Sequence, residues 1–317
     1  MKIINFEDIK KLNISPKQCY EWVSDMIENK DKVVLPPKIS MVPFDKAFYN
    51  VMPSIVPVDK HRAAGVKIVS RYPERKPSLE SKLMLFDVES GKFLALMDAN
   101  WITTMRTGAI AVHSIKLFAK KDFHNIGIIG LGNTARATML VLADVMPDTK
   151  FNVRLLKYKD EAQLFMNRFK DYENFNFEIV DNIEELIGES EVVISAATYF
   201  DQDICEDKYF KEGILIVPIH TRGFSNCDLF FDKIYADDYG HVHHFKNFDK
   251  FNYFSEVADV VNGKNIGREN NKERILVYNI GLSMHDINFA YHIYELINQD
   301  GSISEIDMND PMDKYWI

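Results

Sequence analysis

The chain has 317 residues, 46% hydrophobic and 27% charged, with 47 acidic against 38 basic residues and a formal net charge of -9. This composition suits a soluble globular protein of two domains and excludes a disordered, collagen-like or disulfide-scaffold chain. An acidic chain also disfavours nucleic acid as a partner, because phosphate must be met by clustered positive charge, so a small molecule fits better.

The N-terminal segment carries Lys2, Glu7 and Asp8, too early for the apolar core of a secretory signal. No apolar run reaches the ~18 residues of a membrane span. Cys19, Cys205 and Cys227 are odd in number and lack CxxC spacing, which argues against a disulfide framework and a zinc site. A cytoplasmic location with no membrane partner is expected. Short strand-like runs follow at 32–35, 65–69 and 82–86, with a hairpin turn at 87–91 and a returning strand at 92–97. From Trp101 to about Lys120 the apolar spacing becomes helical, through Ile102, Met105, Ile110, Val112, Ile115, Leu117 and Phe118.

Beyond Lys120 the pattern alternates. Strands are predicted at 125–129, 151–156, 177–180, 191–195, 213–217, 233–236 and 274–278. Helices are predicted at 135–146, 161–169, 183–187 and from about Met284 to Gln299. This alternation implies an α/β fold with a parallel sheet covered by helices on both faces.

Gly130-Leu131-Gly132-Asn133-Thr134-Ala135 fits G-x-G-x-x-A between an apolar strand and a helix. The first glycine permits the tight turn, the second admits a pyrophosphate to the backbone, and the alanine lets helix and strand pack closely. Helix N–H groups would then meet the phosphates. An ordinary strand–helix turn is the alternative. After the second strand stand Lys157, Tyr158 and Lys159, where an acidic residue would meet a free ribose 2′-hydroxyl. That cationic pair favours NADP, with NAD possible if Asp160 or Glu161 takes the acidic role.

The ordered series of motifs resembles the ornithine cyclodeaminase/mu-crystallin family. It comprises 65–70, Pro77-Ser78, 85–91, 95–98, Met105-Arg106-Thr107-Gly108-Ala109, 128–132 and 281–286. The resemblance covers nearly the whole chain. It implies a Rossmann NAD(P)-binding domain over 122–286. An α/β substrate-binding and dimerisation domain would comprise 1–121 with 287–317, the active site lying in the cleft between them. A homodimer is implied likewise. Lys67 matches the family's catalytic lysine and Arg106 the arginine that holds the substrate carboxylate, while Thr107 falls near the cofactor phosphates. Ser78 takes a place often held by threonine. Lys38 stands where a second carboxylate-binding arginine is usual, giving charge without the bidentate fork. Ala197, Thr198, His220, Met284 and Asp286 complete the expected cofactor contacts.

Cyclodeaminases of the family carry an aspartate in the loop after the fifth Rossmann strand, before a Glu-Leu pair. Aligning Asp228-Leu229 with that pair puts Arg222 (or a neighbour) at the aspartate. A guanidinium there would repel a cationic iminium and cannot accept a proton from the attacking amine. Ornithine cyclisation to proline and ammonia is therefore disfavoured. The leading expectation is an NAD(P)-dependent oxidoreductase acting on the C–N bond of an α-amino or α-imino acid. An NAD-recycling cyclodeaminase and a non-catalytic NADP-binding protein are the rivals. Arg222 either binds a second substrate carboxylate or points to solvent. Asp286 either caps the last helix or faces the nicotinamide carboxamide. His241, His243 and His244, with Asp237 and Asp238, lack metal-ligand spacing and read as a solvated loop.

Overall fold

The computed structural model describes residues 1–197, 200, 202–219, 222–301, 303 and 305–307. The N-terminal third contains β1 (Lys2–Ile4), α1 (Phe6–Lys11), α2 (Pro16–Glu28), β2 (Ile39–Met41), β3 (Phe48–Val58), β4 (His61–Arg71), β5 (Leu79–Asp87) and β6 (Phe93–Asp98). Then come α3 (Asn100–Phe118), β7 (Asn125–Ile129), α4 (Asn133–Val145), β8 (Phe151–Leu156), α5 (Glu161–Arg168), β9 (Phe175–Val180), α6 (Ile183–Gly188) and β10 (Val192–Ser195). The chain closes with β11 (Leu215–Pro218), β12 (Lys233–Ala236), α7 (Tyr239–Val242), β13 (Phe254–Glu256), α8 (Val257–Val261), β14 (Ile275–Tyr278) and α9 (Ser283–Asp300).

Two compact units emerge. The first comprises Met1–Ile14, Lys32–Thr103 and the chain from Ser283; the second comprises Ser15–Asp31 and Thr104–Leu282. These boundaries differ from the expected 1–121/287–317 and 122–286. The reason is packing: a side chain at Gly108 on α3 would come within 2.6 Å of the backbone at Ala137 and Thr138 on α4, so that glycine seats α3 directly on the second unit's sheet-covering helix. Trp22, Val23 and Met26 likewise bury a face of α2, whose Lys17 N–H donates to Asp144 at the end of α4.

The first unit is built on a six-stranded sheet of order β1-β6-β5-β4-β3-β2, antiparallel except for the β1–β6 pair. β3 carries Pro53 and Pro57, which disguised it in the sequence. Ile55 N–H points to the β2 edge, where it donates to Val34 O at 3.0 Å, so by the two-residue period both prolines also face that edge. Missing donors cost little there.

The second unit is a parallel eight-stranded sheet of order β13-β12-β14-β11-β10-β7-β8-β9. β7, β10, β11 and β14 are almost wholly apolar and buried, as expected of strands covered on both faces. Successive strands run outward in opposite directions from the β7/β10 pair, so the crevice beyond their carboxyl ends is the switch point at which such sheets bind ligands. This is a Rossmann-type α/β fold. No helix among the described residues is long and apolar enough to cross a membrane.

Candidate active site

In the first unit the site grows from Gly65. A Cβ there would lie 2.6 Å from the backbone Met84 O on β5 and 2.5 Å from Ile287 Cδ1 on α9, so β4 takes a glycine where both come close. Ser283 Oγ donates to Pro53 O at 2.7 Å and fixes the helix start on β3. This seating brings Asp286, in the first turn of α9, to Lys67 two residues along β4. Lys67 Nζ and Asp286 Oδ2 are 2.7 Å apart, and both side chains have 0% exposure. The two charges offset each other, since either alone would be strongly disfavoured in that interior. Asp286 is thus not the helix N-cap: α9 begins three residues earlier, and the carboxylate is turned to the lysine. The lysine's counter-charge was missed in the sequence because 219 residues separate the partners.

Lys38, just before β2, and Ser78 are half-buried. The Ser78 carbonyl accepts from Tyr72 N–H at 2.9 Å and from Arg75 Nη2 at 3.1 Å, which ties back the loop between β4 and β5. Met284 is buried at 1% exposure in the first turn of α9.

In the second unit the G-x-G-x-x-A loop takes the conformation its residues require. Gly130 has φ +83°, and a Cβ there would lie 2.5 Å from Ala197 N. Gly132 is the N-cap of α4; a Cβ there would meet nothing within 4 Å, and no side chain caps the helix. Exposed Gly132 and Asn133, with half-buried Thr134, therefore present the first-turn N–H groups of α4 to open space, while Ala135 is buried against the sheet. An uncapped helix N-terminus with room at its glycine is the donor set a pyrophosphate needs, so the loop fits a dinucleotide. Ala197 is half-buried beside Gly130; Thr198 and His220, also expected at the cofactor, lie outside the described residues.

Lys157, Tyr158 and Lys159 are exposed after β8. Lys157 Nζ lies 2.7 Å from Asp181, and Lys159 Nζ sits 5.2 Å from the Tyr158 ring centroid. Arg106 and Thr107 are buried on α3 at 5% and 9% exposure. The Arg106 guanidinium rests on Gly281, which has φ +85° and whose Cβ would fall 2.5 Å from Arg106 Nη1. Arg222 is exposed.

Two neighbouring acids proved to be structural. Asp228 is buried and accepts from Tyr278 O–H at 2.8 Å; burial pushes its carboxyl up to about 6, against the hydrogen bonds that stabilise the anion. Of the histidine segment expected as a solvated loop, His241 lies in the short helix α7, while His243 and His244 follow the helix and are exposed. Asp238 binds Lys30 Nζ at 3.0 Å and His241 Nδ1 at 2.7 Å, and although burial raises its pKa, these partners hold it down to about 2.

A model of the ornithine cyclodeaminase/mu-crystallin family matches residues 2–301. The chain belongs to that family. Among family-wide similarities, it is 27% identical over 313 residues to the nodulation efficiency protein NfeD of Rhizobium meliloti, covering 94% of this chain and 93% of that protein. It is 26% identical over 260 residues to N-((2S)-2-amino-2-carboxyethyl)-L-glutamate dehydrogenase of Staphylococcus aureus, covering 76% of each. The structure of Thermococcus litoralis Δ1-pyrroline-2-carboxylate reductase with NADH and L-proline superposes with a TM-score of 0.83 at 26% identity, covering 96% of this chain and all of that one.

Proposed function

We propose that the chain is an NAD(P)-dependent oxidoreductase that reduces an α-imino acid to the α-amino acid, or runs the reverse oxidation. The observation that carries this reading is the fully buried Lys67–Asp286 pair, an amine and a carboxylate 2.7 Å apart with neither side chain exposed. The nicotinamide, when bound at the Gly130–Ala135 loop, supplies or accepts the hydride at carbon. Lys67 supplies the proton to the nitrogen in the reductive direction and takes it back in the oxidative one. Asp286 orients the ammonium and offsets its charge. Arg106 grips the substrate α-carboxylate through two parallel hydrogen bonds, and Lys38 adds a point charge. The S. aureus dehydrogenase and the T. litoralis reductase, which by name act at C–N bonds, support this reading.

NADPH is the favoured form of the cofactor. The support is the absence of a carboxylate at 157–159 and the two lysines there. Lys157 and Asp181 are 55% and 79% exposed, so their ion pair contributes little and yields readily to a 2′-phosphate. The working form is a homodimer. Ile39, Met41, Val42 and Phe44 are 60%, 50%, 69% and 55% exposed on or beside the edge strand β2, an apolar run that a second copy would cover. A cytoplasmic location completes the proposal, where three free thiols stay reduced.

The test follows nicotinamide absorbance with NADPH or NADH and Δ1-pyrroline-2-carboxylate, or α-keto acids with amines. L-Ornithine with NAD is assayed beside them for ammonia. Net cofactor oxidation that disappears in Lys67→Met is the expected result. Ammonia from ornithine without net cofactor change would establish the cyclodeaminase instead. Nucleotide binding with no turnover on any imino or amino acid would leave only a binding protein. Light scattering that gives a monomer would remove the dimer.

A further inference from the structure

We infer that Asp237 is a positioning residue for the substrate carboxylate, acting on Arg106 through the turn at Gly281. The inference rests on the reading of Arg106 as the carboxylate's ligand. Asp237 follows directly on β12 and is 7% exposed. Its backbone is fixed from two sides: its N–H donates to Tyr278 O at 3.2 Å, and its carbonyl accepts from Lys30 Nζ at 2.7 Å. Lys30 is itself anchored by Asp238 at 3.0 Å and Glu256 at 2.7 Å. The side chain then reaches across to β14's exit, where Asp237 Oδ2 accepts the Gly281 N–H at 2.7 Å. A buried carboxylate on a backbone N–H forms a short, charge-assisted bond of the stronger kind.

What that bond fixes is the floor under Arg106. Gly281 stands at φ +85°, open only to glycine without strain. The position its Cβ would occupy lies 2.5 Å from Arg106 Nη1, 3.2 Å from Nη2 and 3.3 Å from Cζ. The fork therefore lies against the glycine itself rather than touching it with one nitrogen. The near end of the same turn is tied separately. Ser114 Oγ, eight residues along α3 from Arg106, donates to Asn279 Oδ1 at 3.0 Å, and Asn279 N–H donates to Pro218 O at 3.1 Å. With Asn279 pinned to α3 and Gly281 pinned to Asp237, the turn has one position against α3. Arg106 has one floor to rest on. Bidentate recognition of a carboxylate is sensitive to small displacements, so releasing the Gly281 end costs substrate affinity before anything else.

The experiment is a double-mutant cycle in steady-state kinetics, with imino acid and nucleotide varied in turn. Asp237→Ala is expected to raise KM for the imino acid about tenfold, the effect of one lost charge-assisted hydrogen bond, with nucleotide KM unchanged. Asp237→Asn keeps an acceptor oxygen and should return KM to within about threefold of the parent. Arg106→Lys keeps the charge but loses the fork, so in that background Asp237→Ala should change KM less than about twofold. Gly281→Ala must raise the imino-acid KM in the same selective way; it also carries the test if Asp237→Ala does not fold. Equal factors in both backgrounds, or a nucleotide KM that moves with the substrate KM, would make Asp237 merely structural and overturn the inference alone. A parent protein that turns over no imino or amino acid would overturn the proposed function, and this inference with it.

Discussion

The Lys67–Asp286 pair gives the sharpest prediction, because two charges in the interior of one unit leave no room for screening. Both side chains have 0% exposure and their charged atoms are 2.7 Å apart. Asp286→Asn leaves an ammonium without its anion, and Lys67→Met leaves a carboxylate without its cation. Breaking one side of a buried pair costs about 3–5 kcal/mol. At roughly 2–4 °C per kcal/mol for a chain of this class, each single variant should melt on the order of 10 °C lower. The double variant Lys67→Met/Asp286→Leu removes both charges and should recover most of that loss, since an apolar pair of similar volume is about neutral there. Raising the ionic strength about tenfold should leave the single-variant losses within ~0.5 kcal/mol, unlike a surface pair. Urea unfolding followed by far-UV circular dichroism, with scanning calorimetry, reads these numbers. Single losses below about 1 kcal/mol, or a double variant as unstable as the sum of the singles, would refute the account of the pair as mutually compensating. All three variants should lack imino-acid turnover, including the stable double one, which separates chemistry from stability.

The two loop glycines should part company. Gly130→Ala places a methyl 2.5 Å from backbone at a left-handed φ and should lower the melting temperature by several degrees; Gly132→Ala points into open space, should leave it unchanged, and should still weaken dinucleotide binding measured by fluorescence titration. Asp228 offers a pH test. Its carboxyl is raised from 3.8 to about 6, so between those values the folded state holds a proton that the unfolded chain releases. Its contribution to stability therefore falls as pH rises through that window and is constant above it. Asp228→Asn, which still accepts from Tyr278, should stabilise by about 3 kcal/mol at pH well above 6 and by nothing near pH 3, as measured by urea unfolding across pH. Replacing both Lys157 and Lys159 by alanine should lower kcat/KM for NADPH about tenfold or more while sparing NADH; equal losses would remove the 2′-phosphate role. Burial pushes the thiols of Cys19 and Cys205 up to about 12 and raises that of Cys227 well above its ordinary value, so a thiol reagent at pH 8 should label native protein slowly and all three cysteines after denaturation.

Residues whose fold is set by near neighbours were legible in the sequence. The strands 125–129 and 233–236 are legible to the residue as short runs of buried, mostly apolar residues, and 151–156 by its alternation, with Phe151, Val153 and Leu155 buried. The nucleotide loop was equally clear, since its glycines answer to a turn and a helix start that lie within six residues of chain. β3 was not legible, because its two prolines are harmless only where the short β2, which pairs only with Tyr49–Val51, leaves that side of β3 without a ladder, and how far a neighbouring strand reaches is a property of the assembled sheet. Nor was the company kept by α2 and α3: amphipathic periodicity shows that a helix buries a face but not against which unit.

The site divides in the same way. Composition, periodicity and the ordered motifs determined that this chain holds a dinucleotide loop, a strand lysine and a helix arginine in the series of one family. Only the tertiary structure decided what each is paired with. Asp286 is Lys67's counter-charge because Ser283 ties the start of α9 to β3 beside β4, and Asp237 reaches Arg106 through Gly281 because β12 and β14 are neighbours in the sheet. Charge compensation in an interior is a matter of ångströms in space, and a linear sequence carries local spacing but not the distances that the packing of distant segments creates.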